Sequence, residues 1–242
     1  SENDRRTTSN RRSAVFLFPH RKPALTLFNT KTSKNRRFFI NFARMQIHQK
    51  SAMLAGLKKA LAQECDFRLP EETAERFLAG GEWRHYDSLQ TIISAGEVDS
   101  NCYLVGSGII RYVYFNGDRE VTPCFGTQGT MFLSYHSYLF RQGSYYEVQA
   151  CCPTDLFVIP EKHFDRLIEE SHPFTQWLLR MAYTQLWLFD MKNSVINGTA
   201  SERYASLVNR RPEIVENVPL KIIASYLEIT PQYLSVLRRK HR

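Results

Sequence analysis

The residues of this sequence best suited to chemistry stand near its C-terminus, where polar and basic side chains recur at helical spacing. They are Thr230, Gln232, Tyr233, Ser235, Val236, Arg238, Arg239 and Lys240. A glutamine can pair with adenine N6 and N7, a valine can contact a thymine methyl group, and arginine and lysine contact phosphates. We therefore predict that these residues recognise double-stranded DNA non-covalently. The alternative is an amphipathic helical hairpin that only closes a domain.

Two short helices must position these side chains, and the apolar spacing predicts a helix-turn-helix. Apolar residues lie at i, i+3, i+4 and i+7 of the first helix and on one face of the second. They are Leu220, Ile223, Ala224, Leu227, Leu234 and Leu237. Thr230 is a good N-cap, and Pro231 suits the first helical position. Glu228 stands where a turn glycine is common, so the prediction requires Glu228 to avoid a positive φ.

Other chemistry is not indicated by the sequence. The histidines His85, His136, His163 and His172 lack the spacing of a metal-binding β-roll enzyme. The five cysteines are an odd number without metal-ligand spacing, which favours reduced thiols and a cytoplasmic protein. We predict that the protein is not an enzyme and needs no metal or cofactor. Its apolar runs are shorter than the roughly 18 residues of a membrane span.

The net charge of +8 is concentrated in the first part of the chain. Residues 1–44 contain 11 lysines and arginines but only Glu2 and Asp4 as acids, so the remaining residues carry a net charge of −1. Residues 1–44 are predicted to be a disordered basic tail, and three interpretations of it stay open: an arm that tracks DNA phosphates, a presequence, or a stretch upstream of a natural start at Met45. The third is favoured, because the sequence reads as an ordinary protein opening from Met45 onwards.

From Met45 the hydrophobic pattern predicts an α+β protein. Helical spacing over 52–63 and 70–78 gives way to short stretches rich in β-branched and aromatic residues, bounded by turn residues. These predicted strands are 89–93, 101–105, 108–115, 119–125, 145–150 and 155–159. Asn116-Gly117 between two of them is a strong hairpin signal. Six strands at this spacing indicate an antiparallel roll or barrel.

A long helix is predicted over 172–196, and it is too apolar to lie on a surface alone. Its near-heptad spacing favours pairing with a second copy over packing only on its own barrel. The residues expected at the pairing face are Phe174, Trp177, Leu178, Met181 and Leu188. Thr199 and Glu202 then form a capping box that opens the C-terminal helices.

The chain is thus predicted to have four parts. They are a tail (1–44), a β-roll (45–171), a dimerisation helix with its hinge (172–198) and a helix-turn-helix domain (199–242).

Three stretches resemble the Crp/Fnr family of bacterial transcription regulators: CYLVGSGIIRYVY at 102–114, FVIPEKHFDRLIEE at 157–170 and IASYLEITPQYLSVLRRK at 223–240. The resemblance runs from about Leu78 to the end, and the last stretch is most similar to a short subgroup without a β-wing. It implies an antiparallel β-roll of the jelly-roll, cyclic-nucleotide-binding type in a homodimeric, cytoplasmic regulator. The implied partners are double-stranded DNA, a second copy of the chain, a small-molecule effector and RNA polymerase. The resemblance implies no association with a membrane.

The segment that binds the cyclic phosphate in members of the family that take cyclic AMP departs from the pattern here. The family pattern places a carboxylate at about Ser134 and an arginine at Ser144 or Tyr145, whereas Arg141 comes three or four residues early. Loss of the arginine removes a contact worth roughly 1.5–3 kcal/mol, so an effector other than cyclic AMP is favoured. We expect either a neutral aromatic pocket or, preferably, a filled core. The candidate effector residues are Ser134, Tyr135, Ser144, Tyr145 and Tyr146.

The sequence departs from the family pattern at two further sites, the N-terminal cysteine cluster and the recognition helix. The iron–sulfur branch of the family needs an N-terminal cysteine cluster, but the first cysteine here is Cys65. In better-known members the recognition helix begins with Arg-Glu and carries a second arginine four residues after that glutamate. The matching positions in this sequence are Pro231, Gln232 and Val236. We therefore expect a DNA half-site that leans towards A·T instead of a GTGA-like one. The competing hypothesis is a β-roll sensory or interaction module that does not bind DNA.

Overall fold

A computed structural model describes residues 47–62, 65–117, 119–196 and 198–240, so the basic stretch 1–44 lies outside the described residues. The helices are α1 (Ile47–Leu61), α2 (Glu71–Ala79), α3 (Tyr135–Phe140), α4 (Glu161–Glu170), α5 (His172–Ile196), α6 (Ala200–Arg210), α7 (Pro212–Asn217), α8 (Leu220–Tyr226) and α9 (Pro231–Lys240). The strands are β1 (Glu82–Tyr86), β2 (Thr91–Ile93), β3 (Cys102–Ser107), β4 (Ile110–Asn116), β5 (Arg119–Val121), β6 (Phe125–Gly126), β7 (Met131–Phe132), β8 (Glu147–Ala150) and β9 (Thr154–Ile159).

The strands form two antiparallel sheets, which confirms the predicted α+β roll. One sheet has the order β1-β9-β3-β7, and the other has the order β2-β8-β4-β5 with β6 also paired to β4. The hairpin between β4 and β5 pairs Asn116 with Arg119 and turns through Gly117 at a φ of 64°. Only glycine adopts this conformation without steric cost, which explains the predictive power of Asn116-Gly117.

Four parts of the fold differ from the sequence prediction. The predicted strand 119–125 is divided into β5 and β6, which pair with different parts of β4. Strand β1 was not predicted, because its sequence EWRHY does not alternate apolar and polar residues and only Tyr86 in it is buried. The short strand β7 and the six-residue helix α3 were not predicted either.

The interior of the roll is packed with aromatic rings from both sheets. Tyr103 and Phe132 stack with their ring centroids 5.0 Å apart, and Tyr112 contacts both Phe132 and Tyr146 edge-on. The Tyr103 hydroxyl donates a hydrogen bond to Asp99, and the Tyr146 hydroxyl donates one to the Leu133 carbonyl. The hydroxyls of Tyr103 and Tyr146 are thereby satisfied while their apolar rings fill the core.

A second core lies where the helices α1, α2, α4 and α5 cover the β1–β9–β3 sheet. Its centre is a cluster of four aromatic rings, those of Phe77, Phe164, Phe174 and Trp177. The centroids of the rings in contact lie 4.9–6.2 Å apart. The Trp177 indole N–H donates to the Leu61 carbonyl at 3.1 Å, so this buried donor is satisfied. The N-terminal half of α5 is thus fixed to its own β-roll.

A third cluster holds the C-terminal helices α6–α9 together. The predicted capping box is present at its start: the Thr199 hydroxyl accepts from the Glu202 amide, and the Thr199 amide donates to the Glu202 carboxylate. The Thr199 hydroxyl also donates to the Glu202 carboxylate, and the two bonds from the Thr199 amide and hydroxyl lower the pKa of Glu202 because they favour its ionised form. Ile109 and Cys151 of the roll belong to the same buried cluster, so the C-terminal helices pack directly on the roll.

Candidate nucleic-acid interface

The turn between α8 and α9 fixes the angle at which the last helix leaves the domain. Its conformation corrects the sequence prediction, because Glu228 has a φ of 56° instead of avoiding the left-handed region. The Glu228 amide donates to the Ser225 carbonyl, and the Ile229 amide donates to the Ala224 carbonyl. These two bonds form a Schellman motif, which satisfies the last carbonyls of α8 and outweighs the strain on a residue with a Cβ.

Helix α9 is held by its start and by one apolar face. The Thr230 hydroxyl accepts from the Tyr233 amide at 3.2 Å, so Thr230 is the predicted N-cap and has a positioning role. Leu234 and Leu237 are 0% and 3% exposed and pack in the cluster of the C-terminal helices. The opposite face is therefore turned away from the core by the helical period.

The structure brings four of the predicted DNA-contacting residues to that opposite face. Gln232, Tyr233 and Arg239 are exposed at positions i, i+1 and i+7 of the helix. Val236, at i+4, is half-buried beside them. Ser235 and Arg238 are half-buried at the flanks. The Ser235 hydroxyl donates to the Pro231 carbonyl within the helix, so its donor is already used. The Lys240 side chain lies outside the described residues.

Helix α5 has two different apolar faces. Phe174, Trp177 and Met181, which were predicted at a pairing face, are at most 2% exposed inside the protomer's own core, and Leu178 is half-buried against it. This correction has a simple cause: heptad-like spacing identifies an apolar face but not the surface that covers it. Among the side chains of α5 that the structure describes, the large exposed apolar ones are Leu179, Tyr183, Leu186 and Trp187, and the Leu188 side chain lies outside them.

The residues predicted to line an effector pocket do not converge on one cavity. Ser134 and Ser144 are buried, and their hydroxyls donate to the Ser137 hydroxyl and the Tyr146 carbonyl. Tyr135 and Tyr145 are 58% and 73% exposed, on the outside of the roll. Tyr146 does lie in the interior, where burial raises its pKa to about 12. These positions fit a filled core better than a pocket.

Arg141 cannot replace the missing phosphate-binding arginine from its position in the fold. It ends α3 with a φ of 56° and forms an ion pair with Glu161 at the start of α4. It also donates to the Ser100 hydroxyl at 3.1 Å. Its guanidinium is therefore held on the outer surface, away from the ring cluster that fills the roll.

The buried thiols are unsuited to redox or metal chemistry. Burial raises the pKa of Cys102 strongly and that of Cys151 to about 12, so both are protonated at neutral pH. Within the described residues, histidine, cysteine and acidic side chains form no group of three that could hold a metal ion. None of the described helices has the length and apolar character needed to cross a membrane.

Two features were missed by the sequence reasoning because they join distant parts of the chain. Arg111, on β4, is 4% exposed and bonds Glu120, Thr122 and Gln149. Ser225, on α8, bonds the backbone of β5 and the residue after it. Local spacing carries no signal for either contact. The exposed face of α5, in contrast, is visible in the sequence as apolar residues at i, i+4 and i+7 from Leu179.

Comparison with known proteins supports the same architecture. Residues 83–171 match the family model described as cyclic nucleotide-binding domain. No curated protein matches the sequence.

Solved structures similar in fold extend beyond that domain. The c-di-GMP responsive global regulator CLP of Xanthomonas campestris has a TM-score of 0.57 at 18% identity, covering 71% of this chain and 91% of that one. FixK2 from Bradyrhizobium japonicum has a TM-score of 0.55 at 16% identity, with 66% and 83% covered. A regulatory protein from Silicibacter pomeroyi DSS-3 reaches 0.58 at 19% identity, with 78% and 87% covered. At these identities the similarity is one of fold.

Proposed function

We propose that this chain, which has the fold of the Crp/Fnr family and a cyclic nucleotide-binding-type domain at residues 83–171, is a sequence-specific DNA-binding transcription regulator. Its working form is a cytoplasmic homodimer. Residues 45–171 form the sensory roll, 172–198 the pairing helix and hinge, and 199–242 the domain that reads DNA. The regulator CLP, similar in fold, is described as a global regulator that acts on gene expression.

The observation that carries this proposal is the surface of α9. A helix seated on Leu234 and Leu237 presents Gln232, Tyr233 and Arg239 to solvent after a tight turn. A major groove accepts one helix, whose base-contacting side chains must project from one face. In this arrangement Gln232 reads a base edge and Arg239 contacts a phosphate, positioning the helix without specifying sequence.

Pairing of two copies through the exposed face of α5 completes the proposal. Leu179, Tyr183, Leu186 and Trp187 form a stripe along the helix, and each is more than half exposed. Aromatic residues and leucine on one continuous stripe are typical of buried interface cores. Tryptophan, the type of residue 187, is among the residues most enriched at positions that dominate binding energy. Two-fold pairing would place the two α9 helices at half-sites one helical turn apart, about 34 Å.

The effector of the roll is proposed to differ from cyclic AMP, or to be absent. The interior rings already occupy the space between the sheets, and Arg141 is engaged with Glu161 outside it. A charged phosphate buried among Tyr103, Tyr112 and Phe132 would lose its hydration without gaining a cationic partner. Regulation then depends on another ligand, on a partner such as RNA polymerase, or on the amount of the protein.

Selection of binding sites from a random pool of duplex DNA tests the proposal with the full chain. We expect enrichment of a palindrome with half-sites about one turn apart that leans towards A·T at the base opposite Gln232. The Arg239→Gln variant should bind all sequences more weakly, whereas Arg84→Gln, which removes an exposed arginine from β1, should not.

Retention on heparin and on random duplex provides the discriminating measurement. Strong retention that falls with salt supports the regulator, because phosphate contacts release counterions. A folded protein without salt-dependent retention or enrichment would instead support the sensory or interaction module. The exposed aromatic surface on α3, which includes Tyr135, Leu139 and Phe140, would then be its first candidate contact.

A further inference from the structure

The C-terminal helices are attached to their own roll through α8, and one serine makes the central contact. The Ser225 hydroxyl accepts a hydrogen bond from the Thr122 amide at 3.0 Å and donates one to the Glu120 carbonyl at 3.2 Å. These two backbone groups lie at the edge of β5, on the side where a further strand would pair. Ser225 therefore satisfies the strand edge as a neighbouring strand would.

Two more contacts flank this serine. The rings of Phe125 and Tyr226 pack with centroids 5.0 Å apart. Arg211, at the start of α7, donates to the Thr127 hydroxyl at 2.7 Å. Together with the shared burial of Ile109 and Cys151, these contacts make a packed surface with polar bonds at both sides. Such a surface holds an orientation, which a single hydrogen bond could not do.

The buried Arg111 lies beneath the same strand edge and connects it to the rest of the roll. Its Nε and Nη2 donate to the Gln149 side chain at 2.9 and 2.6 Å. Its Nη1 donates to the Glu120 carboxylate at 2.5 Å and to the Thr122 hydroxyl at 3.1 Å. Glu120 and Thr122 thus bond Arg111 through their side chains and Ser225 through their backbones.

Gln149 extends this network towards the segment of the roll that carries Ser144 and Tyr146. It lies on β8, which pairs with β4 and follows Ser144 and Tyr146 directly in the chain. A displacement of β8 must therefore move Gln149, and Arg111 cannot keep both its bonds to Gln149 and its bonds to β5 without moving as well. A bidentate guanidinium transmits such a shift because its donors are in a fixed plane.

We propose that Arg111 and Ser225 are positioning residues that fix the orientation of the recognition helix on the roll, Arg111 by joining β8 to β5 and Ser225 by joining β5 to α8. The contact positions α9 without masking it, since Gln232, Tyr233 and Arg239 stay exposed while α8 is docked. The consequence for DNA rests on the proposed function, whereas the docking itself does not.

Hydrogen exchange of the full chain without DNA tests the docking. In Ser225→Ala the Thr122 amide loses its acceptor, and we expect exchange in residues 119–126 to accelerate about tenfold. Ser225→Thr, which keeps the hydroxyl, should restore protection. Asn217→Ala is the matched control, because it removes a side-chain bond inside the C-terminal helices that does not reach the roll. Unchanged exchange in Ser225→Ala would overturn the role of Ser225.

Arg111→Met tests the longer connection. Arg111 bonds the roll residues but not α8, so a purely local role would change exchange only in β4, β5 and β8. We expect exchange in residues 220–227 of α8 to accelerate as well, at least threefold, because the strand edge that receives Ser225 is no longer fixed. Confinement of the change to the roll would overturn the role of Arg111. Should Arg111→Met fail to fold, Gln149→Met removes, of the bonds that Arg111 makes, only the two to β8, and it should accelerate exchange in residues 220–227 as well.

Binding to palindromes with altered spacers tests the consequence for DNA. The wild type should prefer one spacer, and in Ser225→Ala this preference should fall at least fivefold while binding to an isolated half-site is unchanged. An equal spacer preference in both proteins would contradict the positioning role. If the wild type binds no DNA but Ser225→Ala accelerates exchange, the docking stands and the regulator proposal fails, so the two hypotheses are separable.

Discussion

The interior of the roll and the exposed face of α9 use the same residue types in opposite ways. In the roll, Tyr103 and Tyr146 bury their rings and satisfy their hydroxyls within the chain. On α9, Tyr233 is 47% exposed beside Gln232 and Arg239. A surface that recognises a partner must leave polar groups for that partner, whereas a core must not. This difference supports the proposal that the C-terminal helices recognise a partner, whereas the interior of the roll is filled by packing.

The sharpest test of a filled roll is removal of one of its rings. Phe132 is 2% exposed and contacts both Tyr103 and Tyr112. We expect Phe132→Ala to lower the free energy of unfolding by about 3–5 kcal/mol, because it removes apolar contacts and leaves a cavity. Urea denaturation of the full chain, followed by tyrosine and tryptophan fluorescence, measures this loss.

The control for that experiment is an apolar residue outside the core. Val98 is 57% exposed, so Val98→Ala should change the free energy of unfolding by about 0.5 kcal/mol or less. A loss below about 1 kcal/mol in Phe132→Ala would mean that the ring does not fill a core. The comparison between a packed roll and an open recognition face would then be wrong.

Helix α5 belongs to both sides of this comparison, since one of its faces is packed and the other is open. Truncation on the open face, Trp187→Ala, should weaken association of two copies by about 2 kcal/mol or more, near thirtyfold, as expected for a central aromatic at an interface. Sedimentation over a concentration series measures it. Phe140→Ala, which truncates a similarly exposed aromatic on α3, should leave association unchanged. Equal effects of both variants would place the pairing surface elsewhere.

The open face of α9 is tested by separating specific from general contacts. Gln232→Ala should cost about 1–3 kcal/mol at one base position and relax the preference there. Arg239→Gln should weaken binding uniformly and reduce the slope of affinity against salt by about 1. Fluorescence anisotropy with the selected palindrome and with single-base variants measures both. If Arg239→Gln changed the base preference instead, the two roles would have to be exchanged.

Local patterns predicted the elements that depend on neighbours in sequence, and they failed where partners are distant. The capping box at Thr199, the N-cap at Thr230 and the turn at Gly117 are set by residues within four positions of one another. Ser225 and Glu120, in contrast, are 105 residues apart. Trp177 shows the limit most clearly, because its spacing identified an apolar face but could not say that Leu61 of the same chain covers it.

The smallest expected effect is local to the C-terminal helices. Glu228→Gly relieves a left-handed conformation that costs a residue with a Cβ roughly 1–2 kcal/mol, and it loses roughly 0.5–1 kcal/mol through the greater freedom of glycine in the unfolded chain. We expect a net gain of about 0.5–1 kcal/mol in these helices, seen as slower hydrogen exchange in α8 and α9. Glu228→Ala removes the same carboxylate but keeps the strain, so it should give no gain. An equal gain in both variants would assign the effect to charge, and the turn would then be unstrained despite its φ of 56°.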